Sequence, residues 1–116
     1  MADAPDPRLE FLQGTLEMLI LRTLRFGELH GYGIAQFIRQ TSNDALQVEA
    51  GSLYPALQRL GLQGLISAKW ETSDRNRRAR YYRLTAAGRK RLERDASRWR
   101  SFVEAISRVM DPVQQE

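Results

Sequence analysis

Cysteine is absent from the 116-residue chain, and histidine occurs once, at His30. The sequence therefore has no disulfide framework, no thiolate nucleophile and no cysteine or histidine cluster for zinc. A lone histidine also leaves a catalytic triad without partners. Carboxylate pairs such as Asp3 with Asp6, or Glu93 with Asp95, are expected on a chain arm and an exposed helix face, where they are solvated. We expect a protein that is not an enzyme and binds no cofactor or metal.

Long apolar runs are missing as well. No segment approaches the length of a membrane span, and the first residues, MADAPDP, lack the positive start and apolar stretch of a secretory signal. Hydrophobic residues make up 42% of the chain and charged residues 28%, a balance that favours a packed globular domain over a disordered chain. We expect one cytoplasmic domain with no membrane partner, and a reducing compartment suits the lack of cysteine.

The positive charge is concentrated in one short segment. The net charge is +4, and residues 75–83 hold five arginines with no acid among them. In isolation such a run is more typical of a solvated loop than of a binding site. Like charges held in a tight turn repel each other, however, so a partner that carries negative charge would relieve them.

Three short helices are predicted in the first half of the chain. Apolar residues recur at helical spacing over residues 15–25, over 32–41, and from about 50–52 to 63, with a short break over 26–31. Pro55 is expected in the first turn of the third helix, where its missing N–H is not needed. Gly64 is expected to end that helix in a left-handed conformation.

A β-hairpin is predicted after Gly64, because the hydrophobic period changes there from helical spacing to two. Ile66, Ala68 and Trp70 alternate with polar residues, which indicates a half-buried strand. A polar turn over residues 72–78 and a second strand over 80–84 complete the hairpin. Asn76 in this turn is suited to a left-handed backbone position.

A long helix is predicted over residues 86–110, with Thr85 as its N-cap and residues 111–112 ending it. Its apolar stripe steps by alternating four and three residues, which is the rhythm of a two-helix seam. We predict that this stripe joins two copies of the chain, the alternative being an adaptor that binds another protein there and has lost DNA binding. The predicted interface residues are Leu92, Ala96, Trp99, Phe102, Val103, Ile106 and Met110.

Taken in order, these elements predict a mainly α fold with a small β-hairpin, namely a winged helix-turn-helix followed by a long C-terminal dimerisation helix. The predicted boundaries are a flexible arm over residues 1–10, the DNA-binding domain over 11–85, the helix over 86–110 and a tail over 111–116. In such a domain the third helix enters the major groove of double-stranded DNA, and the hairpin, or wing, reaches the neighbouring groove or backbone.

The candidate DNA contacts lie on the third helix and the wing, where hydroxyl, amide and cationic groups can meet phosphates or base edges. For Tyr54 two interpretations stay open, a DNA contact or packing in the core. The predicted DNA-binding residues are Ser52, Tyr54, Gln58, Arg59, Lys69, Arg75, Arg77, Arg78 and Arg80.

Three spaced motifs resemble those of PadR-type regulators. The segment EAGSLYPAL over residues 49–57, with Arg59, Leu60 and residues 64–66, resembles the recognition-helix motif of that family. HGYGI over 30–34 and RYYRLTAAG over 80–88 are similar to two further hallmarks, and GTL over 14–16 is similar to the start of the first helix. The chain departs from the family in a wing tip without glycine and in Gly61 within the recognition helix. The resemblance implies a homodimeric bacterial transcription factor, usually a repressor, that binds an inverted-repeat operator.

An effector is suggested by the same resemblance. Some short PadR-type proteins bind flat aromatic compounds between tryptophans at the dimer interface, and Trp99 in the predicted seam is similar to that arrangement. The alternative is that Trp99 is ordinary packing, since an indole contributes much apolar area. A small aromatic effector at Trp99 is therefore a hypothesis that accompanies the predicted dimer.

Overall fold

The computed structural model describes residues 7–72 and 74–111, with side chains from residue 15 onward. Four helices and a small sheet form the fold, which confirms the predicted mainly α architecture with a hairpin and a long C-terminal helix. The elements are α1 (Pro7–Leu24), β1 (Leu29–His30), α2 (Gly31–Thr41), α3 (Ala50–Leu62), β2 (Ile66–Thr72), β3 (Arg78–Leu84) and α4 (Ala86–Met110). No helix in the described part of the chain is both long enough and apolar enough to cross a bilayer.

One hydrophobic core joins the helices to the base of the hairpin. The helices α1, α2 and α3 contribute their apolar stripes, as the helical spacing predicts, and α4 contributes Leu92. Thr23, also buried, donates its hydroxyl to the carbonyl of Leu19 at 2.8 Å. The buried apolar residues are Leu16, Ile20, Leu21, Leu24, Ile34, Ile38, Leu53, Ala56, Leu57, Leu60, Leu65, Ile66, Leu84 and Leu92.

The sheet has three antiparallel strands in the order β1, β3, β2. β1 pairs Leu29 with Tyr82 and His30 with Tyr81. Sequence reasoning predicted only a break here, because two residues are too few to show a period of two. The short strand ties the start of α2 to β3 and leaves β2 as the outer strand of the wing.

Side-chain caps fix where α2 and α4 begin. His30 Nδ1 accepts a hydrogen bond from the backbone N–H of Gly33 at 2.9 Å, which gives this histidine a structural role. Thr85 caps α4 as predicted, since its hydroxyl accepts from the N–H of Gly88 at 3.0 Å and donates to the carbonyl of Gly64 at 2.7 Å. Gly64 itself has φ +73°, the predicted left-handed stop after α3.

Two helix predictions differ from the structure. α1 begins at Pro7 and not near residue 15, so it starts inside the stretch predicted as an arm; residues 1–6 of that arm and 112–116 of the tail lie outside the described residues. α3 begins at Ala50, which places Pro55 in the second turn and not in the first. The carbonyl of Gly51 loses its helical donor there. Both residues are exposed, so water can supply the missing hydrogen bond.

The prediction that β2 is half-buried along its length is wrong. Only Ile66 on this strand is buried, whereas Ala68 is exposed and Trp70 is 58% exposed. The physical reason is that only the base of the hairpin reaches the core, while its outer part projects from the body of the domain. Trp70 is therefore a surface residue of the wing.

Candidate nucleic-acid interface

The solvent-facing side of α3 is free of packing within the protomer. Gly51, Gln58 and Leu62 lie opposite the buried stripe and are exposed. Leu62 is 83% exposed, and the sequence analysis did not single it out. Ser52, in the first turn of α3, is also exposed. Within the described residues, nothing covers this face, so it is open to a partner.

One flank of α3 faces the wing across an open cleft of about 760 Å³. Tyr54, Gln58 and Leu62 line it from the helix, and Arg80 and Tyr82 line it from β3. Burial raises the pKa of the Tyr82 phenol above its ordinary value. The cleft thus brings together two predicted residues of α3 and one cation of the wing.

Tyr54, for which the sequence left two interpretations open, is both packed against the protomer and exposed to solvent. Its ring lies against the start of α2, so closely that a Cβ added to Gly31 would be 2.7 Å from Tyr54 Oη. The side chain is nevertheless 48% exposed. Tyr54 therefore packs against the helix-turn-helix and still presents surface at the cleft.

The wing presents cations and an aromatic ring on the face that it turns toward α3. Cross-strand pairs share a face, and Ala68 opposite Tyr82 belongs to the cleft. Trp70 opposite Arg80 is the next pair outward on the same face. The guanidinium carbons of Arg78 and Arg80 lie 5.3 Å and 6.0 Å from the centroid of the indole's ring.

Lys69 lies on the opposite face of the wing. Its Nζ is 2.8 Å from Glu71 Oε2 and 3.7 Å from Glu28 Oε2. The hydrogen bond that Lys69 donates to Glu71, together with the charge of Glu28, raises the pKa of Lys69, and the same hydrogen bond lowers the pKa of Glu71. Sequence analysis grouped Lys69 with the wing arginines by charge alone, although strand alternation already places it on the face opposite Trp70.

Arg59 points to α1 and away from the cleft. Its Nε donates to Glu17 Oε2 at 2.8 Å, although about half of the Arg59 side chain stays exposed. The sequence could not reveal this ion pair, because its partners are 42 positions apart.

The turn of the wing carries the remaining predicted cations. Arg75 and Arg77 are exposed on either side of Asn76, whose φ of 59° confirms the predicted left-handed position. Because a side-chain amide tolerates this conformation, the turn forms without glycine. The arginines thus project at the far end of the hairpin from the core.

The apolar stripe of α4 is divided between the core and solvent. Leu92 is 3% exposed, because the first part of α4 packs against α1. Ala96 and Trp99 are partly buried, and the ring centroids of Trp99 and Phe102 are 6.3 Å apart. The last turns expose a row of apolar side chains. These are Phe102, Val103, Ile106, Val109 and Met110.

Comparison with known proteins agrees with this architecture. The pattern of the transcriptional regulator PadR-like family matches residues 20–94. A transcriptional regulator of Mycobacterium tuberculosis is 35% identical over 86 residues, which cover 74% of this chain and 77% of that protein. A transcriptional regulator from Clostridium thermocellum has a similar structure, with TM-score 0.79 and 26% identity over 85% of this chain and 96% of its own.

A PadR family transcriptional regulator from Eggerthella lenta is similar too, with TM-score 0.76 and 29% identity over 89% of this chain and 88% of its own. All three of these proteins are transcriptional regulators. The family match spans α2, α3, the wing and the start of α4, which are the elements that build the surface described above. The chain belongs to the PadR-like family of transcriptional regulators.

Proposed function

We propose that this protein is a repressor that binds a pseudo-palindromic operator in double-stranded DNA as a homodimer. The observation that carries the proposal is the shared orientation of α3 and the wing. The open flank of α3 and the arginine-bearing face of the wing border the same cleft, so one duplex can contact both. A recognition helix in the major groove with a wing on the adjacent backbone requires this arrangement.

The two parts of the surface take different roles. Arg75, Arg77, Arg78 and Arg80 contact phosphates, which supplies affinity for any duplex. Ser52, Tyr54 and Gln58 on α3 are placed to reach base edges, which supplies sequence preference. Arg59 and Lys69 reach DNA only after they leave their ion pairs with Glu17, Glu28 and Glu71, so we expect a smaller contribution from them. With these phosphate contacts, the wing is the main source of salt-dependent binding.

Dimerisation through the second half of α4 lets the protein bind both half-sites of the operator. Five apolar side chains exposed along one short stretch of helix are unusual for a surface that stays in water, and the four-three spacing fits a paired helix. A two-fold dimer would hold the two copies of α3 about one DNA turn apart, roughly 34 Å. The seam proposed is Ala96, Trp99, Phe102, Val103, Ile106 and Met110, with Leu92 buried in the core of its own protomer.

Release of the operator by a flat aromatic molecule at Trp99 is part of this proposal. The rings of Trp99 and Phe102 lie side by side at the inner end of the exposed stripe. Binding of a planar cationic dye should quench the emission of Trp99 and weaken operator binding together. If the dye leaves the emission of Trp99 unchanged, no effector site exists there and Trp99 serves packing alone.

The proposed function is tested by fluorescence anisotropy with a labelled duplex from the region upstream of the protein's own gene. Excess unrelated DNA serves as competitor. Tight, salt-sensitive binding that survives the competitor supports a sequence-specific regulator. Binding that the competitor abolishes places the operator at another gene. If no duplex binds even at low salt, the adaptor function through α4 replaces DNA binding.

A further inference from the structure

Trp70 is an exposed tryptophan that does not belong to the hydrophobic core. It lies on β2, the outer strand of the wing, and 58% of it is open to solvent. A large apolar ring in water is unfavourable, and burial of its area against a partner would be favoured. The ring cannot bury itself within the protomer, because the hairpin projects past the core at this point.

The neighbours of Trp70 carry positive charge. Arg80 is its cross-strand partner, and Arg78 is its diagonal neighbour, with guanidinium carbons within 6.0 Å of the ring centroid. Attraction between guanidinium and the electron-rich ring face holds both cations beside the indole. Because a guanidinium has five N–H donors, contact with the ring leaves donors free for an acceptor outside the protein.

The position of Trp70 follows from strand alternation. Ile66, Ala68 and Trp70 lie on one face of β2. Ile66 closes the core, Ala68 lines the cleft against α3, and Trp70 lies one step farther toward the tip. A duplex that contacts both α3 and the wing would therefore pass next to the indole.

We propose that Trp70 packs on the deoxyribose rings of the DNA backbone while Arg78 and Arg80 bind the phosphates on either side of them. The backbone of a duplex alternates anionic phosphates with sugars that have largely apolar faces. An aromatic ring beside two cations matches that alternation, since the negative ring face repels phosphate and accepts the sugar. This inference rests on the proposed function and adds a contact that conveys no base preference.

Fluorescence tests the contact directly, because Trp70 and Trp99 are the two tryptophans of the chain. In the Trp99→Phe variant, Trp70 is the single indole. Titration with a mixed-sequence duplex of roughly 30 base pairs at low salt should quench its emission and shift it to shorter wavelength as water leaves the ring. In the matched Trp70→Phe variant, the emission of Trp99 should not shift. Full binding by anisotropy with unchanged Trp70 emission would overturn the proposal.

Affinity measurements separate the ring from its arginines. Trp70→Ala should weaken binding about tenfold at each salt concentration, while Trp70→Phe recovers most of the loss. The slope of log K against log salt should stay at the wild-type value for Trp70→Ala, because no phosphate contact is removed, and should fall by about one for Arg78→Ala. Normal affinity of Trp70→Ala, or a slope that falls as for Arg78→Ala, would refute sugar packing.

These experiments distinguish a failure of the proposed function from a failure of the proposed Trp70 contact. If the unchanged protein binds no duplex, the proposed function fails and the sugar contact fails with it. If the unchanged protein binds and the Trp70 variants behave as it does, only the role of Trp70 is rejected. Thermal unfolding of each variant without DNA provides the folding control, and an exposed side chain should alter it little.

Discussion

Gly88, in the first turn of α4, lies directly against the backbone carbonyl oxygen of Leu65. A Cβ at this position would overlap that oxygen and would also lie 2.8 Å from Leu84 Cδ1. The N–H of Thr85 donates to the same Leu65 carbonyl at 3.2 Å, so the segment before β2 cannot easily move away. The absence of a side chain at Gly88 thus sets how closely α4 approaches the base of the wing.

Gly88→Ala should therefore destabilise the fold. We expect a loss of roughly 1–3 kcal/mol in the free energy of unfolding, measured by urea denaturation, because the backbone must shift to relieve the overlap. Gly61→Ala is the matched control, since a Cβ there meets nothing within 4 Å and helix propensity favours alanine by about 1 kcal/mol. A Gly88→Ala protein as stable as the wild type would mean that the close approach is not a real constraint.

The ion pair between Glu17 and Arg59 leads to a second prediction. Glu17→Gln should release the guanidinium toward DNA and raise affinity by up to about fivefold, the equivalent of an exposed salt bridge. The gain should disappear in the double variant with Arg59→Ala, as judged by anisotropy at fixed salt. If the gain persists in the double variant, it comes from the lost negative charge alone and Arg59 plays no part.

Local signals in the sequence were sufficient for most of the fold. The helical periods, the Thr85 cap, the Gly64 stop and the left-handed Asn76 depend on residues close together in the chain, and the structure confirms them. The start of α1 was missed although Leu9 and Leu12 continue the helical spacing of Leu16, because Pro5 and Pro7 suggested a flexible arm. The strand β1 was missed because two residues are too few to show a period.

The candidate surface was predictable only as a set of residue types. Sequence position indicated a basic wing, but the ion pairs formed by the candidate cations depend on contacts between distant segments. Arg59 with Glu17 and Lys69 with Glu28 could be found only after the elements were packed together. The exposure of Trp70 was missed for the same reason, because alternation predicts which residues share a face and not whether anything covers that face.

Substitutions in the wing and substitutions in the recognition helix should change DNA binding in different ways. Arg77→Ala with Arg78→Ala should weaken binding to operator and unrelated DNA by the same factor and lower the salt slope by about two. Gln58→Ala should change the preference among base substitutions in the operator while it leaves binding to unrelated DNA unchanged. Lys69→Ala removes the same charge from the opposite face and serves as the control, with a small expected effect.

Equal, sequence-independent losses from the wing variant and from Gln58→Ala would contradict this division of roles. A loss for Lys69→Ala as large as that for a single wing arginine would contradict the assignment of the two faces of the wing. Both comparisons use anisotropy with matched operator and scrambled duplexes at several salt concentrations.

A charge placed in the seam of α4 should separate the protomers. Ile106→Asp would bury an unpaired carboxylate, so the dimer dissociation constant should rise about a hundredfold or more, measured by sedimentation. Ser101→Asp adds the same charge on the opposite side of the helix and should leave the dimer intact. A stable dimer of Ile106→Asp would show that the protomers associate through another surface.

Two copies of α3 and two wings should bind one face of a duplex. Hydroxyl-radical footprinting of the upstream region measures this directly, because it maps each protected sugar of the backbone. We expect two protected patches about one helical turn apart, related by a dyad, with outer protection that is lost on substitution of the wing arginines. A single patch without symmetry, or no protection at concentrations that shift the duplex, would contradict this expectation.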